Sequence, residues 1–358
     1  MPDLPDRFRA LDQLEVPDID ARARALGPRP PSGPDGPPAA KRTTAIVLAL
    51  VIAVAGVGLL LRAFRPEATT APAVAPPGEL IAFALGRVPP VPGRFTDIAV
   101  AHPDGSHVRR VTGSAADLDA DPWVAKYGFS SDDSPAFSPD GRTLAFIRRY
   151  SEGTDSLCTV GLDGSGFRVV VRNFGGAELA WSPDGSMFAY YSERDGGLHV
   201  MNADGSDDHA VLPRGAGTPN QVSPSWSADG SQIFFVQGGV FSVHPDGTGF
   251  RTVLALSPSA TMVAASPDGK TLAFVQGGAA RPHVWIAGVD GSSAHQLDLS
   301  DPNAGIGSFL TWSPSGGRLL VGGRRSAWLV DRDGRQLRHL QGVEGDPVAW
   351  WGPRASAS

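Results

Sequence analysis

Phe137-Ser138-Pro139-Asp140-Gly141-Arg142-Thr143-Leu144-Ala145-Phe146 decides the fold, because its pattern returns downstream. It recurs as Trp181-Ser182-Pro183-Asp184-Gly185, as Trp226-Ser227-Ala228-Asp229-Gly230 and as Ser266-Pro267-Asp268-Gly269, and weakens to Trp312-Ser313-Pro314-Ser315-Gly316. Pro presets φ at the first turn position, Asp suits the second, and Gly takes the left-handed conformation that closes a hairpin. The runs that follow, such as 143–147, 232–236 and 271–275, are too short for helices and rich in strand formers.

A second signal alternates with the first. Asp-Gly stands at 104–105, 163–164, 204–205, 246–247, 290–291 and 333–334, mostly 41–44 residues apart. It too marks a hairpin between apolar strands. The period matches one four-stranded blade of a propeller.

Ser-Pro-Asp-Gly-(Lys/Arg)-x-Leu-Ala-Phe resembles the PD40 repeat of TolB-like propellers, with close copies at 138–146 and 266–274. The resemblance covers residues 79–351 and implies an all-β, six-bladed, TolB-like β-propeller. Ala228 and Ser315 depart from the motif, which weakens a turn and not the fold. The first unit, Glu79–Leu85, lacks a preceding Ser-Pro-Asp-Gly, and the last leaves an orphan strand at 347–351. These halves are expected to complete one blade and close the ring, protecting its sheet edges. The expected blades are 347–351 with 79–113, then 134–172, 178–213, 223–256, 260–298 and 308–340.

Upstream, residues 43–61 form an uncharged apolar run bracketed by Lys41-Arg42 and by Arg62 and Arg65. As a helix it spans roughly 28 Å, close to the hydrocarbon thickness of a bilayer. The run is longer, and its leader of 42 residues far longer, than in a signal peptide, although Ala73-Val74-Ala75 mimics a cleavage site. The expected organisation is a cytoplasmic tail with a Pro/Gly-rich spacer (1–42), one transmembrane helix (43–61), a Pro/Ala-rich linker (62–78), the propeller (79–351) and a short tail (352–358). Arg29, Lys41 and Arg42 before the helix against Arg62 and Arg65 after it favour a cytoplasmic N-terminus, and the resemblance implies an exported propeller. The expected location is therefore the cell membrane, single-pass, with the propeller extracytoplasmic. Phe8, Leu11 and Leu14 have helical spacing up to Val16-Pro17, which leaves a docking peptide or a disordered tail open for 1–26.

The net charge of −6 gives no footprint for nucleic acid. Cys158 is the only cysteine, which excludes an intramolecular disulfide and any CxxC motif. Neither GxSxG nor HExxH occurs. The eight histidines are not expected to form a metal constellation: His102 and His244 precede Pro-Asp-Gly, and His107, His209 and His295 trail the Asp-Gly turns. Trp181, Trp226 and Trp312 also keep phase and are expected to pack between blades.

In a blade, the Ser-Pro-Asp-Gly and Asp-Gly turns share one face, and the more variable connections emerge on the other, where binding residues concentrate. The longest is Gly113–Ser134, with Asp117, Asp119, Asp121, Asp132, Asp133, Trp123 and Tyr127, expected as an acidic loop without secondary structure. The same face is expected to gather Arg87, Arg94, Arg148, Arg149, Arg194, Arg281, Arg324 and Arg325. Asp117, Asp119, Asp121, Trp123, Tyr127, Arg148, Arg149, Arg324 and Arg325 are the candidate binding residues; a solvated surface is the plainer reading of them. Asp117-x-Asp119-x-Asp121 echoes the oxygen donors of a calcium loop but lacks its glycine and distal glutamate, so calcium stays open and no other cofactor is expected. The resemblance implies a non-catalytic scaffold that binds a protein or cell-envelope component. The alternatives are a lactonase-type hydrolase using the propeller channel and a signalling role with 1–26 as the cytoplasmic output.

Overall fold

The computed structural model describes residues 78–86, 96–212, 223–277, 282–297, 299, 309–323, 326–334, 337–340 and 349–352. These residues form six four-stranded antiparallel sheets. Blade 1 runs Ala349–Trp351, Leu80–Gly86, Thr96–Ala101 and Arg109–Arg110, and blade 2 runs Phe129–Phe137, Thr143–Tyr150, Asp155–Gly161 and Arg168–Arg172. Blade 3 runs Gly176–Trp181, Met187–Ser192, Gly197–Asn202 and His209–Leu212, and blade 4 runs Ser225–Trp226, Ile233–Gln237, Gly239–Val243 and Arg251–Leu254. Blade 5 runs Ala260–Ala265, Thr271–Gln276, His283–Gly288 and His295–Gln296, and blade 6 runs Phe309–Trp312, Arg318–Gly323, Ser326–Asp331 and Leu337–Leu340.

The ring closes as expected. Trp351, Trp350 and Ala349 pair antiparallel with Leu80, Ile81 and Ala82, so the last strand completes the first blade. The core lies between blades: Ile81, Phe83 and Ala99 of blade 1 pack on Phe309, Leu320 and Ala327 of blade 6. On the other side Leu80, Ala82 and Ile98 meet Phe137, Leu144 and Phe146 of blade 2.

Each Ser-Pro-Asp-Gly turn is a small hydrogen-bonded unit. Ser138 Oγ donates to Asp140 Oδ1 (2.6 Å) and accepts from the amide of Thr143 (3.0 Å), while Gly141 N closes on Ser138 O (2.8 Å). Ser182, Ser227 and Ser266 repeat both side-chain bonds. Ala228 leaves its unit intact, and at Ser315 a hydroxyl 3.2 Å from Ser313 Oγ replaces the carboxylate. The serine hydroxyl is the part of the turn that the Pro-Asp-Gly chemistry does not account for.

The in-phase tryptophans stitch blades together. Trp181, Trp226 and Trp312 donate Nε1–H to Ala136 O, Ala180 O and Ala264 O of the preceding blade, at 3.2, 3.3 and 3.0 Å. Where blade 5 has Ala265 instead, its backbone N–H donates to Ser225 Oγ (2.9 Å).

Among the described residues no helix is long and apolar enough to cross a membrane. The expected transmembrane helix 43–61, the tail 1–26, and Arg87, Arg94, Arg281, Arg324 and Arg325 lie outside the described residues.

Candidate functional site

The connection from blade 1 to blade 2 is where structure and expectation part. It is not an acidic loop. Two short helices, α1 (Ala115–Asp119) and α2 (Pro122–Tyr127), lead into a long inner strand that already contains Asp132 and Asp133. Ser114 caps α1, its Oγ accepting from Asp117 N and donating to Asp117 Oδ1 (2.6 Å). Asp121 caps α2 by accepting from Trp123 N (3.1 Å), with Pro122 at the first helical position. These are ordinary helix-start signals.

The carboxylates face inward because a cation waits there. Arg148 was expected on the exposed face, yet its side chain is 0% exposed. Its position directly across from Asp132 in the strand register draws it inward. Arg148 Nε and Nη2 donate to Asp132 Oδ1 and Oδ2 (2.8 and 3.0 Å), a fork that fixes both planes. Nη2 also donates to Asp117 Oδ2 (2.7 Å), and Nη1 lies 3.7 Å from Asp121 Oδ2. The guanidinium stacks 4.6 Å from the Phe167 ring centroid.

Asp121 extends the network outward. It accepts from Tyr150 Oη and from Arg172 Nη1, each at 2.7 Å. Arg172 in turn lies 4.7 Å over the Trp123 ring, and Trp123, Tyr127 and Tyr150 meet edge to face. Burial alone would raise the Asp121 carboxyl, but the bonds from Tyr150, Arg172 and Trp123 N hold it below its ordinary range. For Asp132 burial wins over Arg148 and lifts the carboxyl to about 6. Burial raises the Tyr150 hydroxyl and the Cys158 thiol, so both stay protonated at neutral pH.

Of the candidates, Asp117, Asp121 and Arg148 therefore converge, but as a buried brace. Trp123 and Tyr127 are half-buried over that brace, and Asp119 is exposed. Arg149 pairs with Asp133 (2.7 Å) and, at 3.9 Å, with Asp155. The calcium reading meets a donor set already committed: Asp117 and Asp121 turn their oxygens to Arg148, and Asp119 does not join them. Among the described residues no group of three or more His, Cys, Asp or Glu side chains is placed to hold a metal ion. Tyr150 and Arg172 complete the brace and escaped the sequence reading, because nothing in a strand pattern marks them.

A second feature is the channel at the ring centre. A cavity of about 340 Å³ is walled by the inner strands and the Pro139, Pro183, Pro267 and Pro314 turn residues. Serine, proline, alanine and tryptophan make up most of the wall, and Glu178 is the ionisable residue among the described lining. Ser134 and Glu178 occupy the same step of successive repeats, at irregularities of their strands, with φ of 53° and 56°. Such bulges re-aim side chains beside a cavity. The set of converging carboxylates a hydrolytic channel would use is not found among the described lining residues.

The PD40 family, described as TolB beta propeller domain, matches residues 133–354, more than half of the chain. No curated protein matches the chain at a significant level. Among solved structures, TolB from Acinetobacter baumannii is similar at 19% identity and TM-score 0.60, covering 76% of this chain and 66% of that one. The chain thus spans just under two thirds of that protein's length. A putative TolB from Agrobacterium tumefaciens aligns at 17% identity and TM-score 0.53 over 77% of this chain and 99% of that one. A chain of a nidogen/laminin complex aligns at 12% identity and TM-score 0.57, over 76% and 98%. At these identities the likeness is one of fold.

Proposed function

This chain belongs to the TolB β-propeller domain family, and from that premise we propose that it is a non-catalytic scaffold that binds a protein or cell-envelope component. The observation that carries this reading is the brace under α1 and α2. Buried Asp117, Asp121 and Asp132 hold the two helices against blade 2 through Arg148, which gives a docking platform an ordered support. In this reading the apolar run 43–61 tethers the propeller to the membrane, with the propeller outside the cytoplasm. The binding surface is the face opposite the turns, with α2 offering exposed Ala125 and Lys126 beside half-buried Trp123 and Tyr127. Aromatic rings on an ordered support are the usual anchors of such surfaces.

A photo-crosslinking residue at position 125 of the full chain, compared with one at exposed Lys270 on the turn face, tests the assignment in the native envelope. A discrete crosslinked partner from position 125 and not from 270 is expected. Products from 270 alone overturn the choice of face. Chelator-sensitive hydrolysis of lactones by the purified chain, with no crosslinked partner, overturns the scaffold reading.

A further inference from the structure

The helix pair is fastened to blade 2 by charge, and the charges do not balance. Asp117, Asp121 and Asp132 are all at most 2% exposed. They meet fully buried Arg148 and partly exposed Arg172, three carboxylates against two guanidinium groups. Blade 1 places the Thr112 hydroxyl beside Asp132, and its buried Asp97 is answered by Arg110. Asp117 comes from α1, Asp121 from the cap of α2, Asp132 from the inner strand, Arg148 and Tyr150 from the second strand, Cys158 from the third and Arg172 from the fourth. Asp133 and Asp155 are answered by Arg149, while Asp119 and Lys126 face solvent on the helices. One negative charge is left over in a site closed to water, where an uncompensated charge is costly.

We propose that this cluster makes α1 and α2 a proton-tightened clamp: uptake of one proton in mildly acidic surroundings strengthens their hold on blade 2, and its loss at neutral pH loosens them. Asp132 is the group that takes the proton. Its burial lifts it to about 6, although Arg148 opposes this. In the proposed open form the carboxyl meets water and falls toward the ordinary carboxylate value of 3.8. Between those two values the closed form binds more protons than the open one, so opening becomes rarer as pH falls. From about pH 7.5 to about pH 5 the opening equilibrium drops by about tenfold. Asp121, held low by its donors, stays ionised through this window, and Tyr150 and Cys158 stay neutral. The clamp depends on the cluster alone, whatever partner the face binds.

Hydrogen exchange on the full chain, read by mass spectrometry and corrected for intrinsic rates, measures the opening directly. Peptides over 115–128 are compared with Gly239–Val243 of blade 4, a strand without carboxylates. Protection of 115–128 should rise about tenfold relative to that reference between about pH 7.5 and about pH 5. Asp132→Asn, which removes the surplus charge and keeps the side-chain shape, should flatten the profile. Asp117→Asn, which removes a carboxylate that raises Asp132, should move the response to lower pH. Protection that does not change with pH in the unaltered protein overturns the clamp, whether or not the variants fold. An Asp132→Asn variant that keeps the full response overturns it as well.

Discussion

Trp351, in the last strand of the ring, lies flat against Gly141 in the first Ser-Pro-Asp-Gly turn: a Cβ at Gly141 would collide with Trp351 Cε2. The same indole donates Nε1–H to Pro139 O (3.0 Å). The turn glycine thus serves two ends, the left-handed φ of 67° and the seat of the closing strand. Gly141→Ala should cost about 3 kcal/mol, from the strained φ plus overpacking against the indole. Gly153→Ala is the control, because Gly153 also has positive φ (84°) but a Cβ there would meet nothing within 4 Å. It should cost about 1 kcal/mol. Chemical denaturation of the two variants measures the difference, which belongs to ring closure.

The tryptophan stitches give a second expectation. Trp312 is 4% exposed, and its Nε1–H satisfies Ala264 O across the blade boundary. Trp312→Phe keeps most of the apolar area but leaves that carbonyl without its donor, and should cost about 1–2 kcal/mol. A loss well below this in thermal unfolding would mean that packing alone joins these blades.

Arg148 and Arg149 are neighbours on one strand with opposite fates. Arg148→Met takes the cation from buried Asp117 and Asp132, while Asp121 keeps Arg172, and should cost about 3–5 kcal/mol. Arg149→Met breaks a pair whose arginine is 36% exposed, and should cost under about 1 kcal/mol. Equal losses in urea unfolding would contradict the asymmetry of burial.

The ring was legible because its signals are local. A turn needs only Pro, Asp and Gly at fixed steps, and an orphan strand such as Ala349–Trp351 needs only a place to pair. The connection after blade 1 resisted the same approach. Residues 130–134, Ser-Ser-Asp-Asp-Ser, lack strand formers, and they extend because Asp132 meets Arg148 across the ladder, a pairing that propensity does not carry. The helices were within reach: Ser114-x-x-Asp117 and Asp121-Pro122 are start signals that the acidic composition obscured. Whether Asp117 and Asp121 point to water or inward depended on which way Arg148 faces, and in a strand buried on both faces alternation does not say.

The turn aspartates predict how the whole ring responds to acid. Ser227 Oγ, then the Ser231 amide and hydroxyl, hold Asp229 down to about 2. For Asp268 burial opposes the shift, but Ser266 and Arg332 outweigh it and again bring the carboxyl to about 2. Asp140 and Asp184 are lowered by Ser138 and Ser182 in the same way. A carboxyl lower in the folded than in the unfolded chain adds stability above the unfolded value of 3.8, and loses it as pH falls toward the folded value. Stability should therefore decline steeply between about pH 4 and about pH 2, with several turns failing together. Ser227→Ala removes the leading donor to Asp229, so it should lower stability near neutral pH and shrink the acid-sensitive part of the profile. Unfolding midpoints across that range check it, and a variant whose loss is the same at every pH would show that the hydroxyl acts only by closing the turn.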